Sequence, residues 1–121
     1  MTTEQVANRL VELCRAGKNL QAVDELYSND VVSTELMSMP GMPAEMKGIE
    51  AVRGKNIWWF ENHIIHSTTV SAPVVAQGYF SVAMALDVSS KKDGKRMQMS
   101  EICVFEVKDG KICHERFFYA M

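Results

Sequence analysis

The sequence predicts an α+β fold, with three N-terminal helices packed on one face of a curved, mostly antiparallel sheet. Three observations predict it. In the first half of the chain apolar residues recur at helical spacing, in three runs parted by Gly17, by Ser28-Asn29-Asp30 and by a proline-rich stretch. In the second half the pattern becomes alternation: Phe80, Val82, Met84, Leu86 and Val88 fall on every second position. Turn signals at Gly78, Asp93-Gly94 and Asp109-Gly110 cut that half into long hairpin strands. Helices first and a strand meander afterwards read as α+β, not as repeated βαβ units.

The elements follow in order. Thr3 stands at the start of the first helix, with Val6, Leu10, Leu13 and Cys14 on one stripe. No Glu follows it by three residues to close a capping box. Gly17 ends that helix. Asn19 caps a second, shorter helix that runs to about Tyr27, with Leu20, Val23 and Leu26 apolar. Ser28-Asn29-Asp30 breaks the chain, and Val31 to Met37 is a strand rich in β-branched residues. Ser38-Met39-Pro40-Gly41-Met42-Pro43 is a loop, and its methionines suit a flap over something apolar. A third helix follows Gly48, with Ile49, Val52, Asn56, Trp59, Phe60 and His63 at helical spacing. Ser67 to Gln77 is a strand interrupted near Pro73. Tyr79 to Ser89, Arg96 to Lys108 and Lys111 to Tyr119 complete the sheet.

Composition excludes several classes. The 121 residues read as a single domain, 1–121. With 47% hydrophobic and 23% charged residues the chain is not a disordered tail. A net charge of −2 gives no electrostatic drive toward nucleic acid. No apolar run approaches the length of a membrane span, and the polar start MTTEQVANRL has no signal-peptide core. Three cysteines without CxxC spacing suit reduced thiols in the cytoplasm; neither a metal nor another cofactor is expected.

Three motifs then carry a resemblance. Leu26-Tyr27-Ser28-Asn29-Asp30-Val31-Val32 looks like the "L-Y/F-x-x-D-hydrophobic" end of the second helix in the NTF2-like superfamily. Gly48-Ile49-Glu50-Ala51-Val52 resembles the "G-x-x-A-I/V" start of its third helix, and Phe105 to Ile112 its final "F-x-x-x-D-G-K-I" hairpin. Within that superfamily the chain is most similar to the small SnoaL-like, polyketide-cyclase-like proteins, which share a fold with ketosteroid isomerases. The resemblance implies a cone-shaped, cystatin-like fold of bacterial type, a deep pocket between sheet and third helix, and a homodimer packed through sheet faces. The same fold hosts isomerases, cyclases, dehydratases, epoxide hydrolases and non-enzymatic binders.

Candidate site residues follow from phase and from that resemblance. By the resemblance, Glu35 falls where ketosteroid isomerases carry their general base. A carboxylate against an apolar wall such as Leu36 and Met37 is better suited to that work. Structurally, Glu35 could instead pair with Lys47 or Arg53. The places where those isomerases hold a tyrosine and an aspartate as oxyanion donors are occupied by Val11 and Cys103. The Asp-Arg-Asp set of limonene epoxide hydrolases has no counterpart here. In the last hairpin, Cys103 lies opposite Glu115 and Glu101 opposite Phe117. Glu101, Cys103, Phe105 and Val107 then share the core face with Glu115, Phe117 and Tyr119, so two carboxylates point toward the cavity. A slip of one residue would send both glutamates to solvent and turn His114 and Arg116 inward.

The candidate catalytic set is therefore Glu35, Glu101, Glu115, His63 and Tyr119. The candidate ligand-binding set is Asn56, Trp59, Met84, Leu86, Cys103 and Phe117. Trp58 should lie under another layer and Tyr27 should be structural. Two functions fit: acid–base isomerisation, cyclisation or dehydration of an apolar carbonyl compound with Glu35 as base, or a non-catalytic binding or dimerisation module. An apolar small molecule and a second copy of the chain are the expected partners. The homodimer should form through an outer sheet face carrying Ile102, Val104, Ile112 and Phe118.

Overall fold

The computed structural model describes residues 1–120. Helices α1 (Thr3–Arg15) and α2 (Asn19–Leu26) lead into strand β1 (Tyr27–Thr34) and the short β2 (Glu45–Lys47). Helix α3 (Ile49–Asn62) follows, then β3 (His63–Val70), β4 (Val74–Ala76), β5 (Tyr79–Ser90), β6 (Arg96–Lys108) and β7 (Lys111–Phe118). The sheet order is β2-β1-β7-β6-β5-β3, with β4 paired to β5. Every pairing is antiparallel except β1 with β7, which is parallel. The three helices and the mixed, mostly antiparallel sheet are the α+β architecture that the pattern predicts.

Local chemistry sets the element ends. Thr2, not Thr3, caps α1, and a capping box does close: Gln5 N–H donates to Thr2 Oγ1 while Thr2 N–H donates to Gln5 Oε1. Glutamine serves there as well as glutamate. Asn19 is the first helical residue of α2, not its cap, and Lys18 before it makes no side-chain cap. Ser28-Asn29-Asp30 does not break the chain, because β1 already begins at Tyr27. The polar triplet falls instead where the pairing of β1 with β7 loses register, between Tyr27 and Val32. The first strand stops at Thr34, one residue short of Glu35. After α3 the chain turns directly into β3 at His63, and Pro73 separates β3 from β4.

The last hairpin decides which side chains reach the interior. Asp109 and Gly110 both hold positive φ, 52° and 76°, as a two-residue hairpin turn requires. Lys108 pairs with Lys111 and Val107 with Ile112, but Glu106 pairs with His114. Cys113 is thus an extra residue, a bulge. Beyond it Phe105 faces Glu115 and Cys103 faces Phe117. The expected pairs of Cys103 with Glu115 and Glu101 with Phe117 are therefore displaced by two residues. A displacement of two preserves the face, so Glu101, Cys103, Glu115 and Phe117 still point inward. The bulge also corrects Ile112, which is fully buried in the core and not on the outer face. Ile102 and Phe118 do stay on that face, 54% and 45% exposed.

The core joins the inner faces of α1, α2 and the sheet, and Phe80 stacks on Phe105 with centroids 4.7 Å apart. Phe80 is 2% exposed. Replacing it with alanine should cost about 3–5 kcal/mol, through lost burial and the cavity left behind. Denaturant unfolding of Phe80→Ala against the parent protein measures this directly.

Candidate active site

A cavity of about 660 Å³ lies between the inner sheet face and the helices. That volume suits a small organic ligand. Trp58, Trp59 and Phe60 of α3, Met84 and Leu86 of β5, and Met99 of β6 form apolar wall. Met37, Met39, Met42 and Pro43 of the loop after β1 line one side. The backbones of Met39 and Met42 pair with each other and hold that loop in a tight turn.

The polar side chains gather into one connected group. Glu115 on β7 is 2% exposed, and its two oxygens accept from the Tyr27 hydroxyl and from Ser33 Oγ, the latter at 2.6 Å. Lys55 on α3 donates to Ser33 Oγ at 2.7 Å and to Glu35 Oε2 at 2.8 Å, and lies 3.9 Å from Glu115. The Tyr119 hydroxyl donates to the other Glu35 oxygen at 3.0 Å. The Lys55 ammonium also sits 4.7 Å from the Phe117 ring centroid. Glu101 on β6 completes the group; its hydrogen-bond partner is the Cys103 thiol at 3.6 Å.

Of the residues expected at the site, Glu35, Glu101, Glu115 and Tyr119 meet in this group, and Asn56, Trp59, Met84, Leu86 and Phe117 line the cavity around it. The expectations for Cys103, His63, Glu35 and Trp58 are corrected. Cys103 does not line the cavity: it is fully buried in the core, and its thiol points to Glu101. His63 does not line it either, because as the first residue of β3 its ring stacks on Trp59 at 3.9 Å and meets the Trp59 carbonyl through Nδ1. Glu35 is not paired with Lys47 or Arg53. Its oxygens face Lys55 and Tyr119, and Arg53 is taken by Asp24. Trp58 lines the cavity as well, on its more exposed side.

Lys55, Ser33 and Tyr27 were missed. A signal for Lys55 existed: it falls three residues after Val52 and four before Trp59, on the stripe that faces the sheet. Ser33 had one too, two residues after the buried Val31 on the same strand face. Tyr27 was placed correctly at the helix end, but its buried hydroxyl needed an acceptor, and Glu115 supplies it.

Burial and crowding push protons onto the acids. Glu101 is raised to about 7, by burial first and then by the nearby Glu35 carboxylate; Cys103 and Lys55 oppose the shift. Glu115 is also raised by burial, against the pull of Lys55, Ser33 and Tyr27. Tyr27 is held well above the usual phenol range by burial and by Glu115. The Cys14 thiol, which lines the cavity, is pushed up to about 12 by burial and is inert as a nucleophile at neutral pH.

Stability should follow these protons. The folded chain holds the Glu101 proton up to about pH 7, whereas the unfolded chain releases it near the ordinary 4.5. Between those values the native state binds more protons, so stability falls as pH rises. Asp24, Glu25 and Asp87 are held low by Arg53, Arg9 and Arg96, so their contribution is complete near the bottom of this window, whereas His114, held low by burial, gains stability as pH rises and works against the fall; the difference between the parent and Glu101→Gln therefore carries the test. Urea midpoints across that range should decline in the parent protein and decline less in Glu101→Gln, the residue of the slope coming from Glu115. Profiles that run parallel in the parent and in Glu101→Gln contradict the assignment.

Comparison with known proteins fits this geometry. A SnoaL-like domain profile matches residues 1–119. A Mesorhizobium loti structure, described as a candidate SnoaL-like polyketide cyclase with carbohydrate phosphatase given beside it, is 38% identical; the match covers 98% of this chain and 100% of that one, with a TM-score of 0.92. A candidate isomerase from Bacillus subtilis shares the fold at 17% identity and a TM-score of 0.74, over 98% of this chain and 86% of its own. An M. tuberculosis epoxide hydrolase similar to limonene epoxide hydrolases does so at 15% and 0.72, over 98% and 84%. No curated protein matches. No arginine or aspartate lines the cavity among the described residues, so the Asp-Arg-Asp set is not assembled here. With residues 1–119 matched and the fold shared throughout, the chain belongs to the SnoaL-like domain family.

Proposed function

We propose that this protein isomerises, cyclises or dehydrates an apolar carbonyl compound by acid–base chemistry, with Glu101 as the proton carrier. One observation carries the reading: a carboxyl with only a thiol as hydrogen-bond partner, Glu101, shares the polar end of an otherwise apolar cavity with an ammonium and a phenol, and its burial pushes it up to about 7. A base works best when its pKa lies near the working pH, and Glu101 meets that condition. Glu35, the expected base, is engaged by Lys55 and Tyr119, and its role becomes one of positioning both.

The chemistry is a proton transfer. The Glu101 carboxylate takes a proton from the carbon next to the carbonyl, and the electron pair moves to the carbonyl oxygen as an enolate. Two N–H groups of Lys55 are used by Ser33 and Glu35, and the Tyr119 hydroxyl is used by Glu35; the third N–H of Lys55 meets the developing charge. Return of the proton from Glu101 to another carbon gives an isomer. A hydroxyl on the next carbon leaves as water with the Glu101 proton, giving dehydration, or the enolate carbon attacks a second carbonyl whose oxygen takes that proton, giving cyclisation. A non-catalytic ligand-binding module is the second reading, favoured by one observation: Val11 and Cys103, the places of the oxyanion donors in the resembling isomerases, are both core residues without a strong donor.

Wild-type protein in D₂O with a panel of apolar ketones should replace α-protons by deuterium faster than buffer, at a rate that rises as pH climbs through about 7. Glu101→Gln should slow this by about 10²–10⁴. Ketone binding without exchange would favour the binding module instead.

The same reading includes a homodimer. Ile102 and Phe118 are cross-strand neighbours on the outer face, beside the small Ala83, which pairs with Ile102. A flat apolar patch of this kind suits a second copy, burying more than about 1,000 Å². Sedimentation at micromolar concentration should give a dimer, and Ile102→Asp should give a monomer; a wild-type monomer contradicts it. Among the described residues no helix is long and apolar enough to cross a membrane. Three free thiols suit a reducing compartment, and we propose the cytoplasm.

A further inference from the structure

We infer that the cavity selects its ligand against negative charge: it takes uncharged carbonyl compounds and excludes carboxylates and phosphate esters of the same skeleton, with Glu101 setting the selection. The inference rests on the proposed reading that the ligand's polar end meets the polar end of the cavity.

The charged lining residues, among the described ones, are Glu35, Lys55, Glu101 and Glu115. Three can carry negative charge and one is a cation. That cation is already committed. Lys55 lies 2.8 Å from Glu35 and 2.7 Å from Ser33 Oγ, with Glu115 at 3.9 Å. An anionic ligand that takes the third N–H brings its charge into competition with Glu35 and Glu115 for the same ammonium. A neutral carbonyl needs only the third N–H and leaves the pair in place.

Glu101 adds repulsion. Its surroundings are Glu35 beyond β1, Lys55 on α3, Glu115 on β7, Tyr119 beyond β7, Cys103 on its own strand, and the apolar Met84 opposite it on β5. Its hydrogen-bond donor is a thiol at 3.6 Å. Once ionised, Glu101 presents to whatever enters a carboxylate whose hydrogen-bond donor is a thiol and whose nearest cation is shared with Glu35 and Glu115. A second anion beside it is disfavoured strongly, because apolar walls screen charge poorly. Discrimination built from repulsion needs no added contact to the preferred ligand.

Three naphthalenes of matched shape test this by calorimetry: 2-acetylnaphthalene, 2-ethylnaphthalene and 2-naphthoate. At about pH 8 the ketone should bind at least about tenfold tighter than the naphthoate. The gap should narrow severalfold at about pH 6, where Glu101 is protonated and naphthoate is still ionised. Glu101→Gln should narrow it at about pH 8. Equal affinities, or a gap that responds to neither pH nor the substitution, overturn the inference. If Glu101→Gln fails to fold by circular dichroism, the pH response of the parent protein decides. The ethyl compound separates the two readings: if it binds as tightly as the ketone, the polar end does not hold a carbonyl, and the proposed function fails independently of charge selection. If none of the three binds, both fall.

Discussion

Glu115 lies on the inner face of β7 with 2% of its surface exposed, and a carboxylate so placed needs donors to offset its lost hydration. Tyr27 and Ser33 supply them from β1, the strand that runs parallel beside β7. Ser33 in turn holds Lys55, Lys55 holds Glu35, and Glu35 holds Tyr119. The chain of bonds joins β1, β7 and α3 across the interior. It fixes where the single cation of the cavity stands, and so decides how every other polar group there behaves. No buried side-chain polar atom lacks a partner among the described residues. The arrangement is stable only as a set, since removing one member leaves another buried and unpaired.

That constraint explains the contrast between the glutamates. Glu35 receives an ammonium and a phenol, while Glu101 receives only a thiol. Glu101 is raised by its burial and by the Glu35 charge, and this unequal partnering separates proton carrier from positioning group. The surrounding wall is thioether and aromatic, which admits varied apolar shapes while keeping water away from the charged end. Shape selection is therefore loose and charge selection tight.

Much of this was legible in the sequence, and the reason differs by level. Helices and strands could be read because burial imposes periods of 3.6 and 2 on apolar residues. Both inward carboxylates of the last hairpin could be read because facing depends only on parity, which survived a register displaced by two residues. Ile112 was misplaced because a bulge at Cys113 changes parity, and no residue pattern announces a bulge there. Lys55 was missed for another reason. A lysine on a mixed helix face usually belongs to solvent, and its burial here follows from partners on distant strands. His63 was overvalued, since helix spacing continued through a residue where the backbone had already become strand.

The account depends on a proton held inside the cavity at neutral pH by unequal partnering of neighbouring carboxyls. Carbon-13 NMR of the side-chain carboxyls, with Glu101 assigned through Glu101→Gln, reads that proton directly. The account predicts a Glu101 midpoint near 7, as burial and the Glu35 charge require. A midpoint in the ordinary range, about 4.3, would contradict it.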